Sequence, residues 1–267
     1  MSRVALAILF AATCAVAEPI ANPKPAPDAA AKPMSQQTYK VRFLPGAKLH
    51  LDGKATEPEW SKANVETNFT FPWEEKPAPL TEFRALMDSN FLWFTFRVKD
   101  SDIVVLDKLR DEQDEVFEDR LELYFSKDDK LKNYYCIEID SRGRVFDYRG
   151  AFYRKLDTTW NWAGARAAGL KTEGGYEVEG RIPLSSFRKL RFNPLMPGAK
   201  IRFGMYRAEF SHDRSGKRVE QTATLHNLGR KIEGPPPIEE WMSWIDPKVK
   251  DPDFHIPATF GWMEIVE

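Results

Sequence analysis

The chain has 267 residues, 39 basic against 40 acidic side chains, and a formal net charge of −1. With no basic excess and no basic tract, the composition argues against a nucleic-acid partner, and no apolar run after residue 17 is long enough to cross a bilayer as a helix. Aromatic residues make up 13% of the chain, eight of them tryptophans, so a core can use some of these rings and leave others for a binding surface.

The chain opens on Arg3, an apolar run from Val4 to Ala12, and Ala15-Val16-Ala17 ahead of Glu18. This is the pattern of a cleaved secretory signal over residues 1–17, which predicts a secreted, periplasmic or envelope-held protein. A lipoprotein acylated at Cys14 is the alternative, although Ala11-Ala12-Thr13 suits that processing poorly. Losing Arg3 with the leader leaves 38 basic residues (39 less one) against 40 acidic, and Cys136 as the remaining thiol. One thiol makes no internal disulfide, so stability must come from burial. Residues 18–38 are rich in Pro and Ala and read as a flexible tether, with a single domain over residues 39–267.

Within that domain, Thr56 and Pro58 mark the start of a short helical turn over Glu57 to Ala63. Glu82 to Asp88 and Phe91 to Lys99 are two runs joined by the turn dipeptide Ser89-Asn90, a hairpin signal. In the second run Leu92, Phe94, Phe96 and Val98 alternate with Trp93, Thr95, Arg97 and Lys99, the period of a strand with one face on a core. An acidic connection from Asp100 to Asp119 follows. Further strands are predicted over Arg120 to Ser126, Asn133 to Asp140, Arg144 to Tyr148, Ala165 to Thr172, Tyr176 to Pro183, Ile201 to Phe210 and Phe260 to Val266. Turns separate them at Lys127 to Lys130, Ser141-Arg142-Gly143 and Glu173-Gly174-Gly175, and Ser185 to Lys189 makes another short helical turn. The expected fold is all-β: an antiparallel β-sandwich, jelly-roll or immunoglobulin-like, with short helical turns. From His226 to Pro257 the chain carries six prolines with Trp241, Trp244 and Phe254, and reads as an ordered excursion that builds or covers a site.

The order of motifs resembles family 9 carbohydrate-binding modules. Leu51-Asp52-Gly53 with Glu57-Pro58-Glu59-Trp60 is similar to their opening, Phe91 to Asp100 and Glu118 to Phe125 to two of their strands, Gly174 to Glu179 to their GGY.VE segment, and Ser243 to Pro247 with Phe260-Gly261 to their close. The resemblance spans most of residues 48–266 and implies a β-sandwich that holds sugar between two aromatic side chains and carries structural calcium. By position it implies Glu122 as a sugar-bonding carboxylate, with Phe117 and Phe254 standing where the family has tryptophan walls.

Sugar binding needs flat aromatic surface for the C–H face of the ring and charged or amide groups for its hydroxyl rim. Ring contacts add about 0.5–1.5 kcal/mol beyond burial. Arg120 and Arg149 are candidate donors. Trp160 and Trp162 share a face if the segment is extended, Trp73 stands in a Pro-bounded loop, and Trp244 lies in the excursion; each serves equally well as packing. The acidic connection offers Asp100, Asp102 and Asp119 as calcium ligands, yet Lys108, Arg110 and Arg120 can neutralise such acids instead. A glycoside hydrolase is a rival class, with Glu118, Asp119, Glu122, Glu138 and Asp140 on offer, but nothing separates one pair as acid and base. A haem-binding sandwich is another, with Met87, Met205 and Met242. The four histidines have no zinc or triad spacing. The reading reached is an exported, non-catalytic domain that binds polysaccharide or oligosaccharide in carbohydrate capture or catabolism.

Overall fold

The computed structural model describes residues 32–109, 111–211 and 238–267. The expected signal sequence with Cys14, the expected tether up to residue 31, Arg110, His212 and the excursion from His226 to Pro237 lie outside the described residues. Thirteen strands are described: β1 Thr38–Phe43, β2 Val65–Glu66, β3 Thr81–Met87, β4 Phe91–Lys99, β5 Arg120–Ser126, β6 Tyr134–Asp140, β7 Val145–Ala151, β8 Lys155–Asp157, β9 Arg166–Thr172, β10 Gly175–Pro183, β11 Lys200–Ser211, β12 Ile238–Ser243 and β13 Gly261–Val266. One short helix, α1 (Leu184–Lys189), and 3-10 turns at Pro58–Lys62, Glu112–Phe117 and Pro257–Thr259 complete the set.

The strands run in the order β8-β7-β6-β5-β11-β13-β1-β3-β4-β10-β9, with β12 added to β11 and β2 to β3. The sheet curls over itself. Phe83, Phe94 and Phe96 from β3 and β4 therefore share one core with Leu123, Phe125, Ile137 and Phe203 from β5, β6 and β11. Gly143 and Gly169 mark one closure: a side chain on Gly169 would come within 2.5 Å of the Ser141 carbonyl, so the β6–β7 turn lies directly on edge strand β9. The sandwich is mixed, because β1 runs parallel to both β13 and β3.

The β3–β4 hairpin forms as expected. Asp88 Oδ1 accepts the backbone N–H groups of Asn90 and Phe91, and its Oδ2 accepts the Trp93 indole at 2.8 Å. Leu92, Phe94, Phe96 and Val98 enter the core. The opposite face is not left to water: Trp93 packs under Leu49 and Trp60 of the arm preceding β2. That arm is fastened by Glu179 of β10, whose carboxylate accepts the N–H groups of Asp52 (3.1 Å) and Gly53 (2.9 Å) and the Trp60 indole (3.1 Å).

Three expectations change. The N-cap position of the turn at Pro58–Lys62 falls on Glu57, not Thr56, and carries no side-chain capping hydrogen bond. The end of the supposed tether is docked: Met34 is buried, and Ser35 donates its N–H to the Phe260 carbonyl. The late excursion is partly strand, since β12 pairs antiparallel with β11. Such pairings join residues far apart in sequence and leave little local signature.

Candidate functional site

Strands β5, β6, β7 and β11 have a second buried face. Alternation in Arg120–Ser126 sends Leu121, Leu123 and Phe125 into the main core and Arg120, Glu122 and Tyr124 to the other side. On β6 the same alternation places Tyr134, Cys136, Glu138 and Asp140 beside them, with Glu122 directly opposite Glu138 in the register. Phe146 and Tyr148 of β7 and Tyr206 of β11 join this side.

A dense polar web fills it. Arg120 Nε donates to Glu122 Oε1 at 2.8 Å and lies 3.0 Å from Glu138 Oε2, while its Nη1 donates to the Val116 carbonyl. Tyr124 donates to Glu122 (2.6 Å), Tyr148 to Glu138 (2.7 Å), and the two phenol oxygens stand 2.9 Å apart. His255 Nδ1 is 2.9 Å from the Tyr134 hydroxyl. Burial pushes the phenols of Tyr124, Tyr134, Tyr148 and Tyr206 well up, so they stay protonated. It also pushes His255 well down, aided by Arg154 and Arg120, so the ring is neutral. Asp253 anchors the segment bearing His255 by accepting its N–H and pairing with Arg154.

The roof over this web is aromatic. Phe117 comes from the 3-10 turn Glu112–Phe117 and Phe254 from the segment before β13, and both pack in the cluster with Tyr124, Tyr134, Tyr148 and Phe260. Phe254 stacks on Tyr206 at 4.4 Å and 20°, with Trp241 at 4.7 Å and Trp73 at 6.1 Å. Phe117 is 5% exposed and Phe254 1%, so the expected open walls are closed against protein rings. Glu122 and Arg120 are likewise buried beneath them.

The other expected contacts divide by exposure. Trp162 is in the main core against Phe125 and Phe187, its indole donating to the Cys136 carbonyl. Trp244 is buried against Phe203. Neither offers a free face. Trp160 lies perpendicular to Trp162 and 5.1 Å from Tyr135, half-buried, with the Arg149–Asp157 ion pair nearby in sequence. Trp73 is also half-buried, its indole donating to the Val249 carbonyl. Met87, Met205 and Met242, the candidate haem ligands, are fully buried.

The acidic connection resolves into two clusters. Arg144 pairs with both Asp140 and Glu118, and burial, with Asp140 close by, pushes Glu118 up to about 8. Asp100, Asp119 and Glu209 bring carboxylate oxygens within 4.8 Å of one another. Burial and the neighbouring acids push Asp119 up to about 9, and burial above all raises Glu209 to about 7. Arg207 pairs with Glu209 and lies 3.9 Å from Asp100. Three carboxyl groups crowd around one guanidinium, and Asp100 Oδ2 and the buried Tyr176 hydroxyl lack hydrogen-bond partners. The donor set therefore fits a divalent cation held by oxygen. Asp102, the third expected ligand, instead donates its N–H to Asp100 Oδ1, and Glu209 takes its place in the cluster. Glu209 was hidden because its strand is far away in sequence.

A mixed β-sandwich with a polar second face under an aromatic roof is thus the class of molecule. The chain belongs to the carbohydrate family 9 binding domain-like family, whose sequence profile matches residues 51–231. A proposed carbohydrate-binding protein from Bacteroides uniformis ATCC 8492 superposes with a TM-score of 0.59 at 17% identity, over 86% of this chain and 100% of its own. A family 9 carbohydrate-binding module from Caldicellulosiruptor kristjanssonii, solved with glucose, gives 0.51 at 14% identity, over 86% of this chain and 95% of its own. The same organism's module with cellotriose gives 0.49 at 15%, over 86% and 94%. No curated protein matches.

Proposed function

We propose that the chain is an exported, non-catalytic carbohydrate-binding domain that takes sugar on the second face of β5, β6, β7 and β11. The observation that carries this reading is the Arg120–Glu122–Glu138 web with the Tyr124 and Tyr148 hydroxyls, gathered under Phe117 and Phe254. Buried polar groups of this density are costly unless paired, and they are the donors and acceptors a hydroxyl rim requires. Membership of a carbohydrate-binding family and the glucose complex of a fold relative support the same reading. The sugar enters as the Phe117 turn and the Phe254 segment part, its ring replacing the contact that Phe254 makes with Tyr206. Export rests on the leader pattern of residues 1–17, and a role in capturing or degrading carbohydrate follows from export.

Calcium would be held by Asp100, Asp119 and Glu209, where it would tie the acidic connection to β11 as a structural clip; its removal by chelation should lower the unfolding temperature of wild type but not of Glu209→Gln. Calorimetric titration with glucose and its β-1,4 oligomers tests the binding site. Saturable binding that weakens about tenfold or more in Glu122→Gln, with unchanged circular dichroism, is expected. Binding indifferent to that change would place the sugar elsewhere.

A further inference from the structure

The fold gathers basic residues that are dispersed in the sequence. The β5–β6 turn carries Lys127, Lys130 and Lys132, and the end of α1 with the residues after it carries Arg188, Lys189 and Arg191. Lys127 Nζ donates to the Leu190 carbonyl at 2.9 Å, which brings the two segments together. All six residues are exposed. The two acids of the turn are already engaged: Asp128 Oδ1 accepts the N–H groups of Lys130 and Lys132, and Asp129 pairs with Arg202. On a chain whose formal net charge is −1, this end is a local excess of positive charge.

Beside it, the loop from Arg191 to Ala199 lifts an apolar side chain into solvent. Met196 is 58% exposed, the highest value among the exposed large hydrophobic residues described, and exposed Pro194 and Pro197 flank it. The loop is fixed from below. Phe192 and Leu195 pack on the main core, Ala199 donates its N–H to the Met196 carbonyl, and Gly198 donates to the Ile265 carbonyl. The N-terminal segment is fastened next to the basic turn, because the Ser35 carbonyl and the Asp129 carboxylate share the Arg202 guanidinium. The acid-rich connection from Asp100 to Asp119 lies at the opposite end of β5.

We propose that this end of the sandwich docks on a membrane surface of anionic phospholipid, with the six cations against headgroup phosphates and Met196 entering the interface. Phosphate oxygens accept from ammonium and guanidinium groups alike. A cluster of about four to eight such cations suits an anionic leaflet. The exposed methionine favours lipid over a soluble polyanion, since a bilayer offers apolar burial as well as charge. The inference goes beyond the carbohydrate reading and uses export only to place the chain beside envelope lipid. The second face of β5, β6, β7 and β11 takes no part, so the two readings fail separately.

The test is co-sedimentation of the chain beginning at Glu18, which keeps every described residue, with vesicles of two kinds. One kind is phosphatidylcholine alone, and the other contains about one-third phosphatidylglycerol. Binding to the anionic vesicles should be about tenfold or more tighter at about 0.1 M salt, and should vanish near 1 M salt, where charge is screened within about 3 Å. The triple variant Lys130→Glu, Lys132→Glu, Lys189→Glu should lose about tenfold or more with unchanged circular dichroism, and Met196→Ser about threefold. Equal affinity for the two kinds of vesicle, or for neither, would overturn the inference. Undiminished binding by the folded triple variant would overturn the assignment to this end, and unchanged binding by Met196→Ser would overturn insertion of the loop. Alginate held as tightly as the vesicles, and released by the same triple variant, would replace lipid with an acidic glycan as the partner.

Discussion

Single carboxylates do much of the fastening in this molecule. Glu179 is buried and satisfies two backbone N–H groups and one indole, so one side chain joins the Asp52-Gly53 turn, the Trp60 turn and β10. Its substitution by Ala would strand three buried donors at once. Each orphaned donor costs about 1–3 kcal/mol, and the three share one site, so Glu179→Ala should destabilise by about 3–5 kcal/mol in urea unfolding, with Glu179→Gln recovering part of it. A loss below 1 kcal/mol would mean the arm is not anchored there. The motifs Leu51-Asp52-Gly53, Trp60 and Gly174 to Glu179, spread over more than a hundred residues of sequence, meet at this carboxylate, which gives their ordering a structural reason.

At the scale of elements, the segment Asp253–Thr259 closes the second face. His255 lies inside it against Tyr134 and Tyr124, and Thr259 Oγ1 lies 3.0 Å from the Tyr206 hydroxyl. Because burial holds His255 neutral, well below 6.5, the folded chain refuses a proton that the unfolded chain accepts. The stability tied to this group is present above pH 6.5 and is lost as pH falls below it. Comparing wild type with His255→Gln isolates that term from the buried acids, whose slope has the opposite sign. The wild type should lose about 2 kcal/mol more than the variant between about pH 7 and 5, and parallel pH profiles would show that His255 is charged in the fold. Strands β4 and β5 were legible in the sequence because their period of two is unbroken over Phe91–Lys99 and Arg120–Ser126. The same alternation misled about exposure. Arg120 and Glu122 were expected beside an open sugar site, whereas a distant roof buries them together with Tyr124, and no local period in Phe117 or Phe254 reports such a contact. Strands β1, β8 and β12 were missed for a related reason: each is short, or finds its partners far along the chain.

For the whole molecule, closure depends on the ends of the described chain. Strand β1 lies between β13 and β3, so the N-terminal segment enters the middle of the sheet order, not its edge. Just ahead of it, Met34 fills the second-face cluster, and the Ser35 carbonyl accepts from Arg202, which also stacks on Trp262 and pairs with Asp129. A chain beginning at Tyr39 should therefore be about 2–4 kcal/mol less stable than one beginning at Lys32, since it loses a buried methionine and several hydrogen bonds; equal stability would mean residues 32–38 are dispensable. The account depends above all on the roofed polar face being the place where sugar is held. Amide hydrogen exchange with and without a saturating oligosaccharide tests that most directly. Slowed exchange over residues 112–122 and 253–260, with β9 unchanged, is the predicted result. Protection confined to the segment around Trp160, or none at any saturating sugar, would contradict it.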